Sequence, residues 1–492
     1  MQRLCTANLN LLSRGVAEPA YDRAAVRPGI VHLGLGAFHR AHMAVYVERL
    51  LSRAPQWGIV GASLRHPDVK QALTPQDGLY TVAVRDASGT KCEVIGSIIG
   101  ILDGRTERAR LLDLMSHPVV SIVSLTVTEK GYCHDPATGN LDERHPDIVH
   151  DLEDPRSPNS APGMIVAAIE RRRQAGVPPF AVMSCDNLPS NGRTAARIVT
   201  RLAELRSPEL AEYIRGNVAF PSTMVDRIVP ATTDADRYSI SQTIGLEDAW
   251  PIVTEPFTQW VIEDNFPYGR PRFEDAGAQM VADVEPYERM KLRMLNGSHS
   301  TLAYLGYLAG HEYVADVMQA PGFGPLVRGL MTEEVIPTLH MPGVDLLRYR
   351  DELLARFANP ALQHRTWQIA MDGTQKLPQR LLNTIRDRLR DGQPIVRLSL
   401  GVAAWMRYVM GADEKGQPID VRDPMAARLK QIAERAKGEP IRMTVALMTL
   451  REVFGTDLPQ SEAFRESVTM HLRSLIERGS AETVANVVRA LG

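Results

Sequence analysis

The sequence predicts an α/β protein in two parts, a parallel-sheet domain over residues 1–284 and a mostly α-helical domain over residues 285–492. Three observations predict it. From about residue 28, short β-branched runs alternate with helical stretches, the pattern of β-α-β units wound around a parallel sheet. A glycine pair closes the first of these runs. Past about Glu285, amphipathic stretches follow one another to the C-terminus with few convincing strands.

In chain order, strands are expected over residues 29–34, 58–62, 119–126 and 180–184, and helices over 42–51, 161–174 and 193–205. Residues 81–101 read as a hairpin turning at 87–89, an insertion into the simple winding. Residues 133–162, rich in Asp, Pro, Asn and Ser, read as a long surface excursion. In the second part helices are expected over 344–357, 375–389, 402–410 and 461–477. No internal repeat suggests a solenoid.

At 492 residues, 44% hydrophobic and 23% charged, the chain has an ordinary globular make-up with length for two or three domains. Its net charge of −2, with acids and bases interspersed, argues against nucleic acid or an anionic membrane as partner and for a small neutral or anionic metabolite. Residues 1–16 offer only Arg3 as a would-be signal n-region, and no stretch reaches the roughly 18 apolar residues of a membrane span. A cytoplasmic location is therefore expected. Cys5, Cys92, Cys133 and Cys185 are widely spaced without C-x-x-C, so reduced thiols and no catalytic zinc are expected.

The first strand ends in H-L-G-L-G-A-F-H-R-A-H. Gly34 and Gly36 suit the tight strand-to-helix turn of a Rossmann-like dinucleotide-binding domain, where the next helix offers free N–H groups to a pyrophosphate. Gly34, Gly36, Ala37, Phe38, His39 and Arg40 are the expected cofactor contacts, Arg40 by its charge. His39 stands where the usual motif has a third glycine, so either a less close packing of helix on strand or a wider turn is expected. His39 and His42, three apart, lack an acidic or thiol partner nearby, and no metal is expected. After the second strand, Asp68 would accept from a ribose hydroxyl and Arg65 would attract a 2′-phosphate, which leaves NAD and NADP both open.

Three further segments put polar residues at or inside apolar runs: Glu129 and Lys130 in T-V-T-E-K-G-Y, Asp186 and Asn187 in S-C-D-N, and Asp226 and Arg227 in M-V-D-R-I-V-P. Strand ends in an open α/β sheet form the ligand crevice, which makes Thr126, Val127 and Asp226 candidate cofactor contacts. The segment K-L-R-M-L-N-G-S-H-S from Lys291 places a lysine, an asparagine and a histidine in apolar surroundings. At about 100° per residue an α-helix would set Asn296 roughly 140° and His299 roughly 80° round from Lys291. Desolvation lowers a lysine pKa toward the range of a working base. Tyr287 and Lys291 also form Y-x-x-x-K, a tyrosine acid/base pattern that leaves Asn296 and His299 without a role.

These blocks in this order, with Q-W-V-I-E-D-N-F from Gln259, resemble the mannitol dehydrogenase family, the polyol-specific long-chain dehydrogenases/reductases, across nearly the full length. The resemblance implies NAD as cofactor, Lys291 as general acid/base, Asn187 and Asn296 holding the reacting oxygen, and His299 orienting the substrate. Glu129 or Glu288 would relay the proton to solvent. Lys130, S-H-S at 298–300 and H-R-T-W-Q-I-A-M-D-G-T-Q-K-L-P-Q-R-L-L from His364 resemble the members that act on sugar acids. Lys130, Arg365 and Lys376, with Arg380 in the same basic block, would then clamp a carboxylate. The expected reaction interconverts D-mannonate and D-fructuronate. A neutral polyol such as mannitol or arabinitol is the alternative substrate, and a non-catalytic NAD(H) sensor is the reading from another class. The resemblance permits a monomer.

Overall fold

Parallel strands covered on both faces need continuous apolar runs, and the first unit supplies them. The computed structural model describes residues 1–135 and 138–491; residues 136 and 137, inside the expected surface excursion, lie outside the described residues. The chain divides into two compact units, Met1–Glu285 and Pro286–Gly492.

The first unit carries β1 (Ile30–Leu33), β2 (Ile59–Ser63), β3 (Tyr80–Asp86), β4 (Gly89–Ile95), β5 (Ile98–Asp103), β6 (Ile122–Leu125), β7 (Ala181–Ser184), β8 (Thr223–Asp226), β9 (Ile252–Thr254), β10 (Gln259–Glu263) and β11 (Gln279–Val281). The main sheet runs β5-β2-β1-β6-β7, with every pairing parallel. Winding from β1 goes to β2 and β5 on one side and to β6 and β7 on the other. The switch point therefore lies between β1 and β6, where an open α/β sheet leaves its ligand crevice.

Alternate residues of these strands enter two cores. Val31, Leu33, Val123, Leu125 and Val182 pack with Met164, Ile165, Ile198 and Leu202, while Ile30, Ile122 and Met183 pack with Ala41, Met43, Tyr46 and Trp260. Helices Ala161–Gln174 and Asn191–Arg206 form at the expected places, the first capped by Ser160, whose hydroxyl accepts from the Gly163 N–H.

Some expectations are corrected. The hairpin is shorter than residues 81–101: β3 and β4 form it, and β5 leaves it to join the parallel sheet beside β2. The helix expected over 42–51 is instead two short helices, Ala37–Ala41 and Met43–Glu48, broken at His42, whose φ of −121° and ψ of −92° are not helical. The excursion contains a helix, Pro146–Glu153. Two small sheets, β11-β10-β8 and β4-β3-β9, were not expected.

The second unit is helical. Leu346–Phe357, Val396–Tyr408 and Glu462–Arg478 are regular, whereas Lys291–Asn296 and Pro378–Leu382 are π-helical stretches inside longer helices, and the two pack against one another. Gly297 permits the approach, since a Cβ there would stand 2.7 Å from the Arg380 carbonyl oxygen. Among the described residues, no helix is long and apolar enough to cross a membrane.

Candidate active site

The turn after β1 is built around Gly34. Its φ of +94° lies in the region that favours glycine, and a Cβ would sit 2.2 Å from the carbonyl oxygen of Thr126 at the end of β6. The Thr126 hydroxyl donates to the Gly34 carbonyl at 2.6 Å and lies 2.8 Å from Nε2 of His32, whose Nδ1 lies 2.8 Å from the Ser124 hydroxyl. Burial pushes His32 down to about 3, so it is a neutral bridge under the turn.

Gly36 is different. A Cβ there would meet only the Gly34 carbonyl oxygen within 4 Å, at 3.8 Å. The fold itself does not require this glycine; its absent side chain leaves open space before the first-turn N–H groups of Ala37, Phe38 and His39, which have no partner within their own helix. That space fits a pyrophosphate. The following helix, Ala37–Ala41, has only five residues, so individual amides rather than a long helix dipole would hold the anion.

Two residues expected at the cofactor, Arg40 and His39, turn their side chains into the core. Arg40 is buried, donates to the Trp250 carbonyl at 2.6 Å and lies over the Tyr80 ring; its charge is spent on the core and not on phosphate. The His39 side chain is buried and stacked on His32 with ring centroids 3.5 Å apart, so it fills the third glycine's place by packing inward, leaving only its amide for the cofactor. Phe38 stacks on His42, whose Nε2 lies 2.9 Å from the Gln259 carbonyl oxygen. Asp68, exposed, begins the helix Asp68–Leu73, and Arg65 is exposed before it.

At the other strand ends, Thr126 and Val127 follow β6, and Glu129 and Lys130 lie exposed on the short helix Thr128–Gly131. Asn187 is exposed just past β7. Asp226 is buried at the end of β8, in register with Gln259 of β10, and so belongs to the smaller mixed sheet β11-β10-β8 rather than to the main parallel one. Arg227 is buried and donates to the carbonyls of Glu255 and Ala41, a structural role.

In the second unit Lys291, Asn296 and His299 are all buried, between 5% and 8% exposed. The π-helical stretch from Lys291 to Asn296 alters the geometry expected of an α-helix. An i→i+5 coil turns only roughly 82° per residue, which sets Asn296 about 50° from Lys291 instead of 140°. Three α-helical residues further on, His299 returns to within about 10° of Lys291. All three then share one narrow face. Oδ1 of Asn296 is buried without a hydrogen-bond partner, which leaves an acceptor open on that face. Glu288, half-buried, lies one turn before Lys291.

His299 stacks on Phe357 at 5.2 Å and meets His364 edge-on at 4.7 Å. Burial, then the neighbouring His364, Arg380, Arg356 and Lys376, hold its pKa well below the usual imidazole value, so it is neutral across the working range. Arg380 donates to the Ser300 hydroxyl at 3.0 Å, and the Lys376 ammonium reaches the Ile369 carbonyl at 3.4 Å. Three cations thus surround a neutral histidine.

Arg365, expected in this clamp, is corrected: it is exposed, pairs with Glu312 and lies over the Tyr313 ring. Arg365→Ala is accordingly expected to change kcat/KM by less than about threefold, the worth of a surface ion pair, as steady-state kinetics would show. Arg356, buried in the last turn of Leu346–Phe357, is instead among the cations near His299. Sequence reading missed it, because an arginine at the end of an amphipathic helix reads as a helix-terminus charge.

Hydride chemistry on an alcohol carbon needs a nucleotide turn and a proton acceptor shielded from water, and the Gly34 turn and the buried Lys291 are groups of these kinds; with its relatives the chain stands among the NAD-dependent dehydrogenases and reductases. Comparison with known proteins narrows this class. The mannitol dehydrogenase Rossmann domain matches residues 28–275 and the mannitol dehydrogenase C-terminal domain residues 283–476, and the chain belongs to the mannitol dehydrogenase family. It is 50% identical over 476 residues to the D-mannonate oxidoreductase of Escherichia coli (strain K12), covering 96% of this chain and 98% of that one. It is 41% identical over 484 residues to a mannitol 2-dehydrogenase of Aspergillus fumigatus, covering 96% of each. Among solved structures, Pseudomonas fluorescens mannitol 2-dehydrogenase, in ternary complex with NAD and D-mannitol, aligns with a TM-score of 0.89 at 39% identity over 99% of this chain and 100% of that one.

Proposed function

We propose that the protein interconverts D-mannonate and D-fructuronate, with NAD as the redox partner. What carries the choice of a sugar acid is the cationic surround of His299, formed by Arg356, Lys376 and Arg380. A carboxylate can accept charge-assisted hydrogen bonds from such cations, which a neutral polyol cannot match in strength. The 50% identity to a D-mannonate oxidoreductase supports the same reading.

Oxidation of a secondary alcohol removes a hydride from carbon and a proton from the hydroxyl, and bound NAD supplies the hydride acceptor. Lys291 takes the hydroxyl proton. Asn296 and Asn187 donate to the oxygen as it gains charge, neutral amides that add no negative charge of their own. Neutral His299 orients a substrate hydroxyl, and Glu288 or Glu129 passes the proton outward. In the first unit Gly34, Gly36 and the amides of Ala37, Phe38 and His39 hold the pyrophosphate, with Thr126, Val127 and Asp226 at the strand ends and Asp68 toward the ribose. Lys376 keeps its expected place on the carboxylate, and Lys130 is a further contact offered by the resemblance.

The test follows NADH absorbance with D-fructuronate beside D-fructose. Turnover of fructuronate at a kcat/KM well above that of fructose is expected, and Arg380→Gln should lower the fructuronate value by about 10- to 100-fold, the worth of a charged hydrogen bond. Turnover of fructose alone would establish the polyol reading. NADH binding with turnover of neither would establish a sensor.

A further inference from the structure

The carboxylate of Asp186, 7% exposed at the end of β7, is the hub of the loop that follows β6. It accepts the N–H of Val127 at 3.0 Å, the N–H of Thr128 at 2.8 Å and the hydroxyl of Tyr132 at 2.9 Å. Two consecutive amides aimed at one carboxylate fix a bend, and Thr128 is held there at a φ of +63°, which a β-branched residue rarely adopts. Gly131 lets the loop fold back, since a Cβ there would meet the Cβ of Val127 at 2.6 Å. On its other side the bend is tied to the glycine turn through the Thr126 hydroxyl and the Gly34 carbonyl. The main chain of Asp186 is itself clasped: its carbonyl accepts from the Asn191 amide, which also donates to the Thr223 carbonyl of β8. The next residue is Asn187.

We propose that Asp186 is a positioning residue for the cofactor, its ionised carboxylate holding residues 126–128 against the Gly34 turn while its main chain anchors Asn187. The inference rests on the cofactor role proposed above for that turn. A protonated acid would turn one acceptor oxygen into a donor facing an N–H, so only the carboxylate holds the bend in full.

Burial pushes Asp186 up to about 6, against the hydrogen bonds from Thr128, Tyr132 and Val127 and with the like charge of Glu129. The titratable groups facing it are Glu129 and Tyr132 from the loop and Cys185 from β7. Burial holds Tyr132 well above its usual value and pushes Cys185 up to about 12, so neither ionises near neutrality. The bend, and with it NADH affinity, should therefore weaken as pH falls through about 6.

Fluorescence titration of NADH onto the full chain without substrate, from about pH 5 to 8, tests this. Wild type should lose about tenfold in affinity across the acid limb, the equivalent of one unit of pKa coupling. Asp186→Asn should bind about tenfold more weakly at pH 8 and show no acid limb. Tyr132→Phe, which removes a bond favouring the ionised form, should shift the acid limb to higher pH. Wild-type affinity in a folded Asp186→Asn, or an acid limb unmoved by Tyr132→Phe, would overturn the assignment; should Asp186→Asn fail to fold in thermal melts, Tyr132→Phe decides. Failure of fructuronate turnover with this NADH behaviour intact would sink the proposed reaction alone. Absence of NADH binding to wild type would remove the cofactor reading and this one together.

Discussion

Lys291→Ala is expected to lower kcat by about 10²- to 10⁴-fold, the usual contribution of a positioned acid/base. The NADH dissociation constant should stay within about twofold, because the lysine is assigned to the proton and not to the cofactor. Stopped-flow single turnovers and NADH fluorescence titration measure the two quantities separately. A small alkylammonium added to the variant should restore part of the rate by occupying the space the side chain leaves, a rescue that a merely structural lysine would not show. Retention of most of the activity would remove Lys291 from the mechanism, and joint loss of NADH binding and of the melting transition would mark a folding defect.

Gly34→Ala should be the most damaging single methyl group in the first unit. The added carbon would stand 2.2 Å from a main-chain oxygen of Thr126, an atom that cannot swing aside, at a φ of +94° that already strains alanine. The conformational penalty alone exceeds roughly 1 kcal/mol, and the overlap adds the cost of parting β1 from β6, which places the variant among the severely destabilised. Its melting temperature should fall by more than about 5 °C and its NADH affinity by more than about 100-fold. Gly36→Ala is the informative partner. Its φ is −88° and the nearest atom beyond its chain neighbours is 3.8 Å away, so the melt should shift by less than about 2 °C while NADH binding weakens, since the methyl occupies the space before the amides. Equal NADH affinity in wild type and Gly36→Ala would remove the pyrophosphate from that turn.

The parallel sheet was legible because β1, β2, β6 and β7 are short apolar runs bounded by glycine or polar turns, the mark of strands buried on both faces. The three-residue strands β9 and β11 are too short to show any alternation, and their partners lie far away in the chain. Charge was legible, but its destination was not. Arg40 meets a carbonyl 210 residues away, and Arg365 meets Glu312 53 residues away, and no local pattern announces either. Asp186 was visible only as a polar residue at a strand end; its partners, two loop amides, lie about 60 residues earlier in the chain. The lysine, asparagine and histidine of 291–299 were legible as a set able to line one wall, whereas the narrowness of their shared face was not, since periodicity of 3.6 cannot foresee a change in the coil.

That change of coil carries one more consequence. A π-helical stretch amounts to one residue inserted into an α-helix, and it persists in a fold only where something other than helix energetics retains it. Deleting a single residue between Lys291 and Asn296 would give back the regular ladder with the lysine and asparagine four apart, about 40° round from one another. The inserted residue thus keeps lysine and asparagine on one face at a spacing of five, which a regular helix would do only at a spacing of four, one residue fewer than this sequence has between them.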